Sequence, residues 1–347
     1  MSDIDIRITG HAGRITLTRP KALNALSYDM AMAIEAALDA WAGDDRVKLI
    51  VMDAEGDKAF CAGGDIAEIY KTGTAGDYDY GRRFWRDEYR MNAKMFTFPK
   101  PVVSLMQGFT MGGGVGIGCH GSHRVVCDSS RLSMPECGIG LIPDVGGTLL
   151  LSRAPGRLGE YLGTTGFRMG PADAILAGFA DYYVPKDNWP ALIATLEETG
   201  DWQAVDRAAT APPDGKLAAM QADIDRNFGG ETIADILRAL AHDTSDVAAL
   251  ARDQLAKGSP LSMACTVEML HRLRGIDTIQ AALSQEFRFT YRALEKSDFL
   301  EGVRAAIIDK DRAPKWSHSD ASAVPGMLVT TMLMPLGANE LVWEDAQ

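Results

Sequence analysis

The stretch Val102–Gly118, VVSLMQGFTMGGGVGIG, reads as a strand, a glycine turn and a helix. Val102 to Met106 is an apolar, strand-like run, and Val115 to Cys119 is helix-like. Gly112, Gly113 and Gly114 lie between them. Glycine lets the main chain turn sharply and lets a ligand approach the amide with no Cβ in the way. An amide at the start of a helix points outward without an intrahelical partner, aided by the helix dipole. Such an N–H stabilises the oxygen that becomes negative when a thioester or ester carbonyl is attacked or enolised. The same pattern stands earlier in the chain. Leu49 to Met52 is an apolar run, Cys61-Ala62-Gly63-Gly64-Asp65 is the turn, and helix-like sequence begins at Ile66. Two such turns can converge on one carbonyl oxygen. Tight packing of a turn is the ordinary alternative for either cluster alone.

Outward from the glycines lies MPECGIGLIPDVGG, Met134 to Gly147, with Glu136 and Asp144 eight residues apart. Carboxylates suited to acid/base or nucleophilic work thus accompany amides suited to an oxyanion. A rival reading is a dinucleotide fingerprint, because Gly116, Gly118 and Gly121 spell G-x-G-x-x-G with Glu136 twenty residues after Gly116. The context argues against it. About ten residues separate Met106 from those glycines, and the next strand-like run, Arg124 to Asp128, comes too soon for a full crossover helix.

The chain alternates strands and helices, the signature of an α/β fold. Ile4 to Thr9 and Arg14 to Thr18 flank His11-Ala12-Gly13 as a hairpin. Ser27 to Trp41 reads as a helix capped by Ser27. Tyr78 to Phe98 reads as a long amphipathic helix carrying Phe84, Trp85, Tyr89 and Phe96. Val125 to Cys127 is a strand, and Ala172 to Gly178 is a short helix before Tyr182-Tyr183-Val184. From Trp189 to Asp253 the pattern becomes helical and polar, broken at Ala211 to Gly215.

Composition narrows the function. The chain has 347 residues, 46% of them hydrophobic, enough for a substantial core. It has no run of ~18 uncharged apolar residues, which argues against a membrane span. Val324 to Leu336 is apolar but short and interrupted by proline. A net charge of −12 argues against general nucleic-acid binding while leaving room for a local basic site. The N-terminal MSDIDIRITG resembles neither a secretory signal nor an Arg-rich transit peptide. Five scattered cysteines read as buried thiols of a reducing cytoplasm. His120 and His123 lack a second pair that would complete a metal site.

The ordered segments KALNALS, AFCAGGDI, GFTMGGGVGIG and MPECGIGLIPDVGG resemble the crotonase, or enoyl-CoA hydratase/isomerase, superfamily. FWRDEYRMN (Phe84 to Asn92), PDVGG, LGTTGFRMG (Leu162 to Gly170) and EGVRAAIIDKDRAPKW (Glu301 to Trp316) are similar to its 3-hydroxyisobutyryl-CoA hydrolase branch. The resemblance is dense from about Ile15 to Val184 and resumes from Ser259 to Trp316. It implies a spiral of repeated ββα turns with a helical C-terminal region. It implies a core over 1–188, a helical insert over 189–258 and a C-terminal region over 259–347 that covers the CoA site. The implied oxyanion donors are the amides of Gly64 and Gly113, with Glu136 and Asp144 as the working carboxylates. Glu88 would contact the acyl end of the substrate. Lys21, Ala22 and Leu23 would meet the adenine side of CoA, and Ala62, Asp65 and Ile66 would be further substrate contacts.

Each carboxylate has an ordinary alternative. Glu136 suits a turn, Asp144 suits an N-cap for Val145 to Leu151, and Glu88 suits a solvated helix face. One departure separates the reactions. Hydratases of the superfamily carry a second glutamate three residues after the central oxyanion glycine, and this chain has Gly116 there. Hydration needs a positioned acid and base. The expected activity is therefore hydrolysis of a short 3-hydroxyacyl-CoA thioester, as in valine catabolism, with no cofactor beyond the CoA of the substrate. A hydratase or isomerase with relocated acid/base groups, and a noncatalytic CoA-thioester binder, are the alternatives. Self-association through the C-terminal helices Ser284 to Lys296 and Glu301 to Asp309 is open.

Overall fold

A computed structural model describes residues 3–343. The chain divides into two compact units, one built from residues up to Asp65 with Arg90–Ser133 and Arg168–Lys216, the other from Ile66–Tyr89, Met134–Phe167 and the chain from Leu217 onward. The residues from 189 to 258 are shared between them, with the division at Lys216.

The first unit is a pair of sheets. Strands β1 (Ile4–Thr9) and β2 (Ala12–Leu17) form the expected hairpin, turning at Gly10 with φ +56°. Next to β2, in parallel order, lie β3 (Leu49–Ala54), β5 (Val102–Met106), β7 (His123–Val126) and β9 (Tyr182–Tyr183). A second, all-parallel sheet consists of the short strands β4 (Ala59–Cys61), β6 (Phe109–Met111) and β8 (Arg131–Ser133). Successive stretches of chain thus give one long strand to the first sheet and one short strand to the second. Every residue of β5 is buried, which is why it reads as an unbroken apolar run. Leu49, Val51, Val103, Leu105 and Val125 pack against Trp189, Leu192 and Leu196. Truncating such a buried leucine to alanine costs ~2–5 kcal/mol.

The second unit is helical, and its helix starts follow local sequence. Ser259 caps Pro260–Leu273 by accepting from Ser262 N–H, with proline at the first helical position. Thr232 and Asp235 form a capping box on Ile233–His242. Thr278 caps Ile279–Lys296. That helix buries Ile279, Ala282, Leu283, Glu286, Phe287, Thr290, Ala293 and Leu294, a stripe at helical spacing. The helix expected over Tyr78 to Phe98 runs Asp79–Phe96.

Candidate active site

The candidate amides are built in the first unit. Strands β4 and β6 are parallel neighbours, with Cys61 opposite Thr110. Both candidate amides therefore follow the C-terminal ends of adjacent strands. Gly112 carries the turn, with φ +48°, and Gly113 is the first residue of the helix Gly113–Gly118. Its N–H accordingly has no partner one turn back. Gly114 is glycine for a different reason: a Cβ there would lie 2.1 Å from the Cys61 carbonyl oxygen. That close approach seats the helix start against the end of β4. On the other turn Gly63 has φ +125°. Leu26 N–H bonds to Gly63 O at 2.9 Å and Asp65 N–H to Leu26 O at 2.8 Å, so Gly64 N–H stands outside this pairing.

The expected CoA-side residues are tied to the same turn. Lys21 and Ala22 are exposed on a helical turn, Pro20–Ala22, and Leu23 follows with φ 52°. Ala62 N–H donates to Leu23 O at 3.1 Å. The buried Asn24 amide donates to Glu55 O and Ala59 O, anchoring the turn to β4. Asp65 accepts from Arg19 Nη2 at 3.0 Å. Ile66, half-buried, precedes the helix Ala67–Thr74 as its N-cap residue.

The candidate carboxylates lie in the second unit. Glu88, Glu136 and Asp144 are 3%, 5% and 4% exposed. Glu88 shares the buried face of its helix with Phe84, Trp85 and Tyr89, so the solvated-face alternative fails. Glu136 begins a short helical turn, Glu136–Ile139. Glu88 Oε1 and Glu136 Oε2 are buried without a hydrogen-bond partner. The N-cap alternative for Asp144, over Val145 to Leu151, fails. The helix starts later, as Gly147–Arg153, and its N-cap residue Gly146 offers no side chain. Asp144 Oδ2 instead accepts from the Tyr89 hydroxyl at 2.7 Å.

Electrostatics follows from this dry setting. Burial pushes the Asp144 carboxyl up to about 7, against the Tyr89 hydrogen bond, which pulls it down. Burial raises Glu88 well above the ordinary carboxyl range, and the charge of Asp144 adds to it. Glu136 is raised by burial and then by Asp144, with a smaller push from Glu286. The Tyr89 hydroxyl is likewise raised, first by burial, so it remains a donor. Carboxyls raised in this way favour their protonated forms and suit the giving and taking of protons.

Tyr89 and Glu286 were not among the sequence candidates. Glu286 is fully buried and accepts from Gly146 N–H at 2.8 Å, from Thr148 N–H at 3.1 Å and from the Thr148 hydroxyl. Burial moves it up to about 8. The available signal was its place on an apolar helical stripe, where a lone acid is rare. The rival glycines have packing roles. A Cβ on Gly118 would meet Met106 Sδ at 2.7 Å, and one on Gly121 would meet Val102 O at 2.9 Å. His123 bonds Ser122 and stacks on Tyr182. Among the described residues no group of three or more His, Cys, Asp or Glu is arranged to hold a metal ion, and no helix is long and apolar enough to cross a membrane.

The chain as a whole is similar to known proteins. The family model described as enoyl-CoA hydratase/isomerase matches residues 12–333. A protein of Rattus norvegicus named 3-hydroxyisobutyryl-CoA hydrolase, mitochondrial, is 38% identical over 96% of this chain and 89% of its own. A crystal structure described as an enoyl-CoA hydratase from Rhodobacter sphaeroides superposes with a TM-score of 0.95 at 55% identity, covering 99% of this chain and all of the other. One described as a carnitinyl-CoA dehydratase from Mycobacterium thermoresistibile gives 0.94 at 40% identity, with 99% and 100% covered.

Proposed function

The chain belongs to the enoyl-CoA hydratase/isomerase, or crotonase, family, and we propose that it hydrolyses a short 3-hydroxyacyl-CoA thioester, 3-hydroxyisobutyryl-CoA or 3-hydroxypropionyl-CoA, to the free acid and CoA. The carrying observation is the buried set Glu88, Glu136 and Asp144, with unpartnered oxygens on Glu88 and Glu136. Gly116, where a hydratase glutamate is expected, sits inside a helix and offers no acid or base. The name of the rat relative supports the same reading.

In this proposal the amides of Gly64 and Gly113 receive the negative charge that develops on the thioester oxygen. Each donor is worth ~3 kcal/mol in the transition state. Glu136, when ionised, either attacks the carbonyl to give a mixed anhydride and CoA thiolate, or takes a proton from the water that attacks. Asp144, held by Tyr89, orients Glu136 or the water and receives a proton. Both routes consume one water and release the carboxylate, CoA thiol and one proton at neutral pH. Glu88, its carboxyl raised by burial and by the charge of Asp144, hydrogen-bonds the 3-hydroxyl of the acyl group. The reaction so written needs no metal or nucleotide.

A second reading has a specific support. The relative at 55% identity carries the description enoyl-CoA hydratase, and Glu88 is a second buried carboxyl that could serve such chemistry. The two readings differ in one product. Release of free thiol from a panel of short 3-hydroxyacyl-CoAs, without added metal, is the expected result. Rapid hydration of crotonyl-CoA with no thiol release would overturn the proposal.

A further inference from the structure

Asp144 is followed by two residues in the left-handed region, Val145 at φ 54° and Gly146 at φ 78°. For a β-branched residue this conformation is a genuine outlier. It persists only where the surroundings over-determine it. Here the restraint comes from Glu286, 140 residues from Gly146 in sequence. One carboxylate oxygen takes Gly146 N–H at 2.8 Å. The other takes Thr148 N–H at 3.1 Å and the Thr148 hydroxyl. On the near side the Asp144 carbonyl accepts from Gly147 N–H at 2.7 Å. The next residue of the same helix, Phe287, packs edge-on against the Tyr89 ring, with centroids 6.2 Å apart. One helical turn thus restrains both the loop that carries Asp144 and the donor that holds its carboxylate. A helix start needs no such remote acid, because a local Ser, Thr, Asp or Asn at the N-cap does that work.

We propose that Glu286 is a positioning residue for the hydrolytic chemistry: it clamps the Val145–Gly146 turn and thereby sets where the Asp144 carboxylate points. This rests on the hydrolase reading above. The groups that face Asp144 are the Tyr89 hydroxyl and the carboxyls of Glu88, Glu136 and Glu286. With the clamp loosened, the Tyr89 hydrogen bond slackens and the ionised form of Asp144 loses its support.

The test is Glu286→Gln in the full-length protein. The amide fills the same space but presents N–H where one backbone N–H now donates, so at least one clamp bond is lost. We expect kcat to fall roughly 10- to 100-fold, as for a small misplacement of a working group, with KM within about twofold. The Asp144 carboxyl, followed by infrared difference titration and identified with Asp144→Asn, should titrate at higher pH in the variant. In the Asp144→Asn background Glu286→Gln should add little further loss of kcat, because it acts through the same group. Thr148→Val, which removes one of the three bonds, should move kcat and titration the same way by less. It keeps the test available if Glu286→Gln does not fold. An unchanged kcat and an unmoved Asp144 titration, with only a lower melting temperature, would reduce Glu286 to a helix cap. A wild type that releases no thiol sinks the hydrolase reading instead, and the infrared titration still decides the clamp.

Discussion

The Tyr89 hydroxyl donates to Asp144 Oδ2 across 2.7 Å, and both side chains are buried. The bond opposes the burial that raises Asp144. A charged carboxylate in a dry site depends heavily on such a donor, because a hydrogen bond to a charged group contributes ~1.5–3 kcal/mol.

Tyr89→Phe removes the donor and leaves the ring. The Asp144 carboxyl should then titrate above its present value of about 7. An upward move of about one pH unit or more follows from the size of the lost bond. The rising limb of the pH–rate profile should shift to higher pH, with partial recovery of rate in alkaline buffer. An unshifted limb would mean that Asp144 does not govern it.

Glu136→Gln keeps the shape but loses basicity and most nucleophilicity. The maximal rate of thiol release should drop by at least ~100-fold, at the low end of general-base effects. Substrate binding, measured by calorimetry with a nonhydrolysable thioether, should be retained. Activity within threefold of wild type would leave Glu136 with a structural role alone.

Stability should also report the buried acid. The folded Asp144 value, about 7, lies above the reference 3.8. Its stabilising contribution is therefore complete below about pH 4 and is lost as pH rises toward 7. Relative to Asp144→Asn, the wild type should lose up to ~4 kcal/mol across that window and nothing more above it. Denaturant melts of the two proteins at several pH values check this. A gap that stays constant from pH 5 to 8 would refute the shift.

The glycines should separate by role. Gly113 is helical and carries no left-handed strain, so Gly113→Ala should keep the melting temperature close to wild type while turnover falls steeply. Gly64→Ala should retain much of its activity. Gly114→Ala drives a methyl to 2.1 Å from Cys61 O and should destabilise the fold by ~1–3 kcal/mol. Full activity in Gly113→Ala with a collapse in Gly64→Ala would show that the oxyanion donors are assigned wrongly.

Legibility in the sequence tracked the range of the interaction. Val102–Met106 was readable to the residue, because a strand buried on both faces needs no alternation. Ser27 as a cap was readable too, since Met30 N–H bonds to its hydroxyl within one turn. The second sheet was not read as a sheet, since its strands have only three residues each, too few to show a period. The N-cap alternative for Asp144 rested on a helix from Val145; Val145 is instead left-handed, a conformation that valine disfavours, and the helix starts at Gly147. Glu136 was singled out by its spacing from Asp144 and the glycines and Glu88 through motif resemblance, while Tyr89 and Glu286 were passed over. Tyr89 looked like one more aromatic of an apolar stripe, and the partners of Glu286 lie 138 and 140 residues away.

That last separation has a consequence for biosynthesis. The chain leaves the ribosome from its N-terminus at roughly 5–20 residues per second. The segments quoted from Gly64 to Gly147 have all emerged long before Glu286 is translated. A nascent chain halted at residue 270 would therefore carry every one of those motifs, yet the loop after Asp144 would lack its clamp. The loop reaches its final form only once the helix carrying Glu286 docks, so activity should appear only after that helix has emerged.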